Sequence, residues 1–560
     1  MKNLNVVVKN KKFKLKAMSI ILGLMTMFYC FNFFYVKVNA VEQVAYETQD
    51  NEEILSEVRA VLKKYYIDSI SEEVLASKSI SEIISKLNDP YSSYFTKEEY
   101  DDFVNGIDNK FVGIGINVEV VKEGIKITNV MKGSPAEEAG IKANDIIIKA
   151  NDVNLVGLPA EEAVKYIKGE EGTSVIISIK RGNDFVEYQV VRKVINAPTV
   201  EWEVINNIGY ISVNSFGVKT GNEFSDALKS LSLKGVSAYI VDLRYNPGGY
   251  IYSALDIGGH FIGNNTISLI EDKEKNIETY KGFYHGNTLD KPIIFLINEY
   301  SASASELLAA AIKDYKKAFF IGKTTYGKGV GQTMYGLSDG AMLKLTTIRF
   351  YSPLGNTINH VGVAPDFRVN DDKIDYLNVA SLLLSGVSAD RGNNNDSIKV
   401  IINNNTFYIN LKEARKPEYW KAYNYIISNI SKDNIFIGNG DKWISYNSIS
   451  TENEAELVYP NSKALNKLSK IKTDKEYTIT FNKIVDIKSI EKDDIELISS
   501  ATGERIPCKI LNTSNSNKIN IYLDKEFEEG LYYLIINADN ITDEKGKKLS
   551  KRTITRVMIN

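Results

Sequence analysis

The sequence predicts a multidomain chain with a mixed α/β core and an all-β module at its C-terminal end. At 560 residues the chain is too long for a single domain. In its middle, an apolar β-prone run at 291–298 leads into a segment of helical composition from Ser303, and a second short apolar run follows at 318–322. From about Tyr459 onward, short β-prone runs alternate with turns rich in Asn, Asp and Gly.

Composition excludes several classes of protein. Hydrophobic residues at 44% and charged residues at 25% are ordinary for globular proteins. The formal net charge is −3, so the chain lacks the excess of positive charge that is typical of nucleic-acid-binding proteins. The 2 cysteines, Cys30 and Cys508, cannot build a disulfide framework, and the sequence has no Cys or His cluster with metal-ligand spacing. We therefore expect a protein that works without a metal or another cofactor.

Residues 1–40 are predicted to be a signal peptide or a membrane anchor. Lysines between Lys2 and Lys16 precede an apolar run, Ala17–Val36, of 20 residues (36 − 17 + 1). Val38-Asn39-Ala40 offers a small-residue cleavage site, while the lysines favour a cytoplasmic N-terminus for an uncleaved anchor. Both alternatives export the rest of the chain, to the outer face of the membrane, the cell surface or the medium.

A serine cluster begins the helical segment that follows the run 291–298. Ser303 with Glu306 fits a capping box, and alone that pattern favours a plain helix cap. A nucleophile at such a turn would, however, lie beside unpaired helix N–H groups that can stabilise an oxyanion. Lys328, flanked by glycines, follows 25 residues later (328 − 303). The arrangement suits a serine nucleophile with a lysine base, and Ser301 and Ser305 remain competitors for the first role.

Two other interpretations of this region are weaker. Gly322 to Lys328 spells G-x-x-x-x-G-K, but Gly329 stands where a phosphate-binding loop needs a hydroxyl for Mg²⁺. His360 and Asp366 could complete a Ser-His-Asp triad. No G-x-S-x-G elbow surrounds the serine, and His360 lies in a turn-rich stretch, so this alternative is poorly supported.

The stretch from Tyr300 to Gln332 resembles the carboxyl-terminal processing, or tail-specific, serine proteases, which use a Ser-Lys dyad. The resemblance implies that Ser303 is the nucleophile, that Lys328 is its general base and that Gln332 orients the lysine amine. A lysine at its free pKa of about 10.4 is protonated near neutrality, so burial must lower its pKa toward about 7–8. The same resemblance implies a crotonase/ClpP-like mixed α/β core over residues 196–370.

A second motif of that family is the DLRYNPGG segment, which ends a buried strand at 238–243 with a tight turn. In the family this turn supplies a backbone N–H to the oxyanion hole. The resemblance therefore implies that Gly248 or Gly249 acts together with the N–H of Ala304. Glycine suits this position because the backbone must approach the substrate carbonyl closely.

Residues 111–195 resemble a PDZ domain. Gly113, Ile114, Gly115 and Ile116 match its carboxylate-binding loop, and 159–169 matches its groove-lining helix. Such a loop holds a terminal carboxylate while the peptide adds as a further strand, which implies protein or peptide substrates with exposed C-termini. Arg181 is a candidate for relaying peptide occupancy to the core, against a simple solvated role.

The remaining segments are assigned by resemblance or not at all. Residues 50–110 resemble the helical lead-in of these proteases, which can contribute to homodimer contacts. Residues 371–455 form an unassigned α/β region in which an Asn-rich stretch predicts a hairpin turn. Residues 459–560 resemble bacterial Ig-like β-sandwiches.

The sequence as a whole predicts an exported serine endopeptidase that recognises the C-terminal tails of protein substrates through its PDZ domain. The alternative from another class is a catalytically silent PDZ and Ig-like surface scaffold or adhesion protein. The presence of Ser303, Lys328 and Gln332 together argues against that alternative.

Overall fold

The computed structural model describes residues 52–386, 394–448, 455–465, 468–471, 476–522 and 528–559. The predicted signal peptide or anchor, residues 1–40, lies outside these residues. Among the helices of the described ranges, none is both long enough and apolar enough to span a bilayer.

The first described segment is mostly helical and packs on the core. Its first helix buries Leu55, Val58 and Leu62 against Leu343 and Leu345 of a core strand. This segment comprises α1 Glu52–Tyr65, α2 Glu72–Leu75, α3 Ile80–Leu87, β1 Ser93–Phe95 and α4 Lys97–Ile107.

The next unit, which corresponds to the predicted PDZ domain, is built on an antiparallel sheet. Its elements are β2 Lys110–Gly113, β3 Ile116–Val121, β4 Gly124–Val130, α5 Pro135–Glu138, β5 Ile146–Ala150, β6 Val153–Asn154, α6 Ala160–Ile167, β7 Ser174–Arg181, β8 Asp184–Val191 and β9 Lys193–Asn196. The sheet order is β3-β4-β5-β7-β8, with β6 paired to β5, and a separate β2–β9 pair joins the two ends of the unit. Helix α6 buries Ala163 and Ile167 in the core of this unit.

A six-stranded sheet forms the centre of the core. Its strands are β10 Val200–Ile205, β11 Ile208–Val213, β12 Ala238–Asp242, β15 Ile293–Ile297, β16 Phe319–Gly322 and β19 Phe367–Arg368, in that spatial order. The first pair is antiparallel, and the other neighbours are parallel. Strands β12, β15 and β16 are buried along their whole length, as central parallel strands covered on both faces should be.

Helices cover both faces of this sheet, which confirms the predicted mixed α/β core. The helices α7 Thr220–Leu233, α8 Ile251–Ile262 and α9 Ala304–Asp314 share one apolar cluster with it, and α10 Tyr376–Leu384 packs in the cluster on the other side. A second sheet contains β1 together with β13 Thr266–Glu271, β14 Ile277–Lys281, β17 Val330–Gly336 and β18 Met342–Tyr351. Its order is β1-β18-β13-β14, with β17 paired to β18.

The region that sequence left unassigned contains a four-stranded sheet and helices. Its elements are β20 Ser397–Ile402, β21 Asn405–Asn410, α11 Leu411–Ala414, α12 Pro417–Ser428, β22 Ile435–Asn439, β23 Lys442–Ser445 and α13 Ala455–Val458. The sheet order is β21-β20-β22-β23. The predicted hairpin turn is confirmed: Asn403 and Asn404 join β20 to β21 with φ of 47° and 63°. Asparagine tolerates this left-handed conformation, which two-residue hairpins favour.

The last segment is all-β and forms two sheets around one apolar core that includes Leu497, Ile521 and Val557. Its strands are β24 Lys463–Ala464, β25 Leu468–Ile471, β26 Glu476–Val485, β27 Ile495–Ser499, β28 Arg505–Pro507, β29 Lys509–Ile510, β30 Ser516–Tyr522, β31 Gly530–Ile536 and β32 Thr553–Ile559.

Candidate active site

Three loops that carry predicted site residues leave the same edge of the central sheet. Strands β12, β15 and β16 are adjacent and parallel, so their carboxyl ends lie side by side. The turn with Gly248 follows β12, Ser303 follows β15, and the loop with Lys328 follows β16. The topology therefore brings together residues that are far apart in sequence.

Ser303 has an unusual backbone conformation. Its φ is 57° and its ψ is −115°, on the left-handed side that residues other than glycine rarely adopt, and α9 begins at the next residue. A residue that only caps a helix normally has an extended backbone. A strained residue at a strand-to-helix turn is instead the arrangement that presents a nucleophilic side chain.

The structure separates Ser303 from the two serines that flank it. Ser301 and Ser305 are both 0% exposed. Ser301 Oγ donates to the Leu243 carbonyl at 2.7 Å, and Ser305 Oγ donates to the Asn246 carbonyl at 2.9 Å. Both hydroxyls therefore tie the serine turn to the loop after β12, whereas Ser303 is partly exposed.

Gly248 lies directly against the serine turn. Its φ is 103°, and a Cβ at this position would lie 2.8 Å from the Ser303 Cβ and 3.0 Å from the Ala304 nitrogen. A side chain here would both strain the backbone and displace the serine. The contact is held by Asn246, whose carbonyl accepts the Ala302 N–H at 3.0 Å.

The backbone N–H groups of Gly248, Gly249 and Ala304 differ in whether they have a protein acceptor. The Gly248 N–H already donates to the Asn246 side-chain oxygen at 2.9 Å. Within the described ranges, the N–H groups of Gly249 and Ala304 donate to no protein acceptor. Of the two glycines left open by the sequence, Gly249 is therefore the one with a free donor.

Glu306 connects the serine turn to the lysine loop, a role that sequence reasoning missed. Its fully buried carboxylate accepts four hydrogen bonds: from the Ser303 N–H at 2.9 Å, the Lys328 N–H at 2.8 Å, the Gly327 N–H at 2.6 Å and the Thr325 hydroxyl at 2.5 Å. Burial raises the pKa of Glu306, and the four donors oppose that rise. The sequence signal was only a capping acid in an otherwise apolar helix start.

Lys328 has the electrostatic environment that a base requires. Burial of its amine, followed by the positive charge of Lys344, lowers its pKa to about 8, and Asp89 and Glu306 oppose this shift. The amine lies 4.8 Å from the centre of the Tyr91 ring. No hydrogen bond joins it to Ser303 within the part of the chain that the structure describes.

Gln332 lies on β17, beside an irregularity in the pairing with β18. Its side-chain nitrogen donates to Thr346 Oγ1 at 3.3 Å. Among the described residues it makes no hydrogen bond to Lys328, which is four positions earlier. The structure thus places Gln332 on the strand that follows the lysine loop, with Thr346 and not Lys328 as its hydrogen-bond partner.

The alternative triad does not assemble. His360 is exposed, and the His360 backbone N–H donates to the Gly327 carbonyl at 2.8 Å. The Asp366 carboxylate binds the Lys313 amine and accepts the Phe320 N–H at 2.9 Å, so it is held elsewhere. The two residues therefore do not form an Asp-His pair beside Ser303.

The predicted peptide loop borders a small cavity of about 40 Å³ in the PDZ unit. Gly113, Ile114, Gly115 and Ile116 line it together with apolar residues of α6 and β3. Gly115 has a φ of 79°, and a Cβ there would lie 2.3 Å from the Ser134 side chain, so only glycine fits. The lining of this cavity is mostly apolar.

Arg181 is anchored inside the PDZ unit. Its guanidinium makes two hydrogen bonds of 2.7 Å to the Asp145 carboxylate and one of 3.0 Å to the Gly140 carbonyl. This ion pair holds the pKa of Asp145 below its usual value despite burial. A relay through Arg181 would require this pair to open.

Comparison with known proteins agrees with the geometry. The model of peptidase family S41 matches residues 207–369, and a PDZ domain model matches residues 126–181. A probable CtpA-like serine protease of Staphylococcus saprophyticus is 32% identical over 436 residues, which cover 78% of this chain and 85% of that protein. This chain belongs to peptidase family S41.

A second relative of this S41 peptidase agrees. A probable CtpA-like serine protease of Staphylococcus epidermidis is 36% identical over 60% of this chain and 68% of its own length. Among solved structures, the photosystem II D1 C-terminal processing protease aligns with 58% of this chain and 94% of its own, at 23% identity and a TM-score of 0.39. The predicted serine peptidase with a PDZ domain is confirmed, and the silent scaffold is not favoured.

Proposed function

We propose that this S41 peptidase cleaves peptide bonds with Ser303 as nucleophile and Lys328 as general base. The main support for Ser303 as the nucleophile comes from the serine cluster. The hydroxyls of the two flanking serines, Ser301 and Ser305, bind the loop after β12. Ser303 is the partly exposed one, on a strained turn at the start of a helix. Across the same sheet edge lies a lysine whose pKa is lowered to about 8.

The chemistry follows from these positions. The neutral Lys328 amine takes the proton of Ser303 as its Oγ attacks the substrate carbonyl carbon. The N–H groups of Gly249 and Ala304 hold the oxyanion that forms. The lysine ammonium then gives its proton to the departing amine, and water hydrolyses the acyl-enzyme by the reverse sequence of proton transfers.

The dyad must close before this reaction starts. Lys328 contacts Tyr91, and Gln332 contacts Thr346, instead of each other. The lysine and glutamine side chains each have several rotatable bonds. The Glu306 carboxylate links the Lys328 backbone to the Ser303 backbone. We propose that substrate binding brings the amine to Ser303 and that Gln332 then accepts a hydrogen bond from it.

The proposed substrates are proteins with exposed C-terminal tails. The loop from Gly113 to Ile116 borders the apolar cavity beside α6, where a terminal side chain would bind while the loop N–H groups hold the carboxylate. Arg181 is retained as the proposed relay, and its ion pair with Asp145 is the contact that would have to change.

The other parts of the proposal rest on sequence. We propose that residues 1–40 export the chain and either anchor it or are removed, and that the lead-in, 50–110, carries a homodimer contact. The proposed further units are 111–195, 196–370, 371–455 and 459–560. The last has two sheets around one core, which supports an Ig-like spacer or binding module.

Alanine variants test the assignment. Ser303→Ala and Lys328→Ala should each abolish hydrolysis of an unfolded protein substrate without lowering the melting temperature, because neither side chain holds loops together. His360→Ala is the matched control and should keep normal turnover. Loss of activity in His360→Ala with activity retained in Lys328→Ala would assign the reaction to a triad instead.

A further inference from the structure

Aromatic rings from the N-terminal helical segment lie against two partly buried lysine side chains, Lys328 and Lys344. The Lys328 amine is 4.8 Å from the centre of the Tyr91 ring. The Lys344 amine is 5.1 Å from the centre of the Phe95 ring and 4.8 Å from the centre of the Phe103 ring. A segment more than two hundred residues upstream in sequence thus forms part of the surroundings of the base.

The turn that carries Tyr91 is fixed to the strand beside the active site. Asp89 accepts the Tyr91 N–H at 2.9 Å and the Ser92 hydroxyl at 2.6 Å. The Ser92 oxygen accepts the Thr346 N–H of β18 at 3.1 Å, and β1 pairs with β18 directly afterwards. Thr346 is also the residue that Gln332 contacts. The ring position is therefore set by the strand that supports the predicted dyad.

The Tyr91 ring is the contact that the structure gives for the Lys328 amine. Within the described residues the Lys328 amine makes no hydrogen bond and no ion pair. An ammonium group is attracted to the face of an aromatic ring, most strongly where water is excluded. The contact therefore places the amine and favours its protonated form.

We propose that Tyr91 is a positioning residue for the base, whose ring face holds the Lys328 amine at the edge of the active site between catalytic events. The inference rests on the proposed role of Lys328. Tyr91 would contribute through its ring and not through its hydroxyl, because the amine lies over the ring. The lead-in segment would then be part of the catalytic apparatus and not only a support for it.

Several charged groups face the amine from different elements. Lys344 of β18 opposes its protonation, whereas Asp89 of the Tyr91 turn and Glu306 of α9 favour it. These groups remain when only the ring is changed. Replacing the ring by an aliphatic side chain of similar bulk removes one attraction for the ammonium, so the apparent pKa of the base should fall by about 0.5 to 1 unit.

The test compares Tyr91→Phe with Tyr91→Leu in the full chain, using pH profiles of kcat and KM for a short unfolded peptide. Tyr91→Phe should match the wild type. Tyr91→Leu should lower the apparent pKa by about 0.5 to 1 unit and the plateau kcat by about tenfold, with KM unchanged within about twofold. Tyr94→Leu, on strand β1 directly after the turn that carries Tyr91, is the matched control and should leave both quantities unchanged.

A second measurement does not depend on how well the leucine variant folds. Phenylalanine at position 91 can be replaced by progressively fluorinated phenylalanines, which keep their shape but weaken the attraction of the ring for a cation. The apparent pKa of the base should fall steadily along this series.

Three results would overturn the inference: a fluorinated series with constant pKa, a folded Tyr91→Leu variant with wild-type kcat and pH profile, or equal losses in Tyr91→Phe and Tyr91→Leu. These outcomes differ from a failure of the proposed function. If Lys328→Ala keeps its activity, Lys328 is not the base. If Lys328→Ala is inactive while the fluorinated series shows no change, only the role of Tyr91 is wrong.

Discussion

Replacing Lys344 by glutamine tests how the base acquires its lowered pKa. Burial is the largest cause of that lowering, and the positive charge of Lys344 is the next. Lys344→Gln removes the charge but keeps a side chain of similar length on β18. The pKa of Lys328 should then rise, so that a higher pH is needed to deprotonate it. Lys344→Arg keeps the charge and serves as the matched control.

The size of the effect follows from the shift. The pKa of Lys328 falls from 10.5 to about 8, with burial as the largest cause and the charge of Lys344 as the next. A neighbouring charge commonly shifts a pKa by about 1 unit or more, so we expect removal of the Lys344 charge to raise the pKa of Lys328 by about 1 unit. At pH 7 a base of pKa 8 is about 9% neutral, and a base of pKa 9 is about 1% neutral. Lys344→Gln should therefore lower kcat/KM at pH 7 by about tenfold.

The assay is kcat/KM against pH for a fluorogenic peptide. Activity requires the neutral amine, so it should rise with pH and reach half its plateau near pH 8 in the wild type. The half-maximal pH should increase by about 1 unit in Lys344→Gln, with the same plateau, and should stay in place in Lys344→Arg. An unchanged profile in Lys344→Gln, or an equal shift in Lys344→Arg, would refute this account of the base.

Three further substitutions test the rest of the site. Glu306→Gln should lower kcat about a hundredfold and should also lower the melting temperature, because an amide cannot accept all four hydrogen bonds that the carboxylate accepts. An active and stable variant would show that the Glu306 link between the serine turn and the lysine loop is not needed. Gly248→Ala should lower kcat by about 10²-fold or more with little change in KM, since its Cβ would displace Ser303, and normal turnover would contradict the tight contact. In the wild type, a protein substrate with a free C-terminal carboxylate should be cleaved faster than the same substrate with an amidated C-terminus. Gly115→Val should reduce this difference in rate, without changing the rate for a short peptide that does not occupy the PDZ groove. Equal rates for the two substrates in the wild type would show that the PDZ unit does not recognise C-terminal tails.

Local sequence patterns predicted the elements around Ser303 because the information is local. The apolar run 291–298 contains strand β15, and the helical composition after Ser303 corresponds to α9, which begins one residue later. The Asn-rich hairpin was predictable for the same reason, since Asn403 and Asn404 themselves favour the turn.

Contacts between distant segments were not predictable in this way. The hydroxyls of Ser301 and Ser305 donate hydrogen bonds to backbone carbonyls that lie 58 and 59 residues earlier in the chain, so neither hydroxyl is free to act as a nucleophile. Glu306 could be identified only as a capping acid, because the lysine loop that it binds lies 21 to 22 residues later. Tyr91 carries no sequence signal that relates it to Lys328. In each case the partner is brought close by parallel strand order or sheet pairing, which a single sequence does not specify.

The most direct test of the central claim is mass spectrometry of the acyl-enzyme. An activated ester of a short peptide is mixed with the full-length protein, and the reaction is quenched in acid within the first turnover. The protein is then digested, and its peptides are searched for the acyl group. The account predicts an adduct on Ser303 that forms faster as pH rises through about 8 and is absent in Ser303→Ala. An adduct on Ser301 or Ser305, or full turnover with no adduct on Ser303, would contradict it.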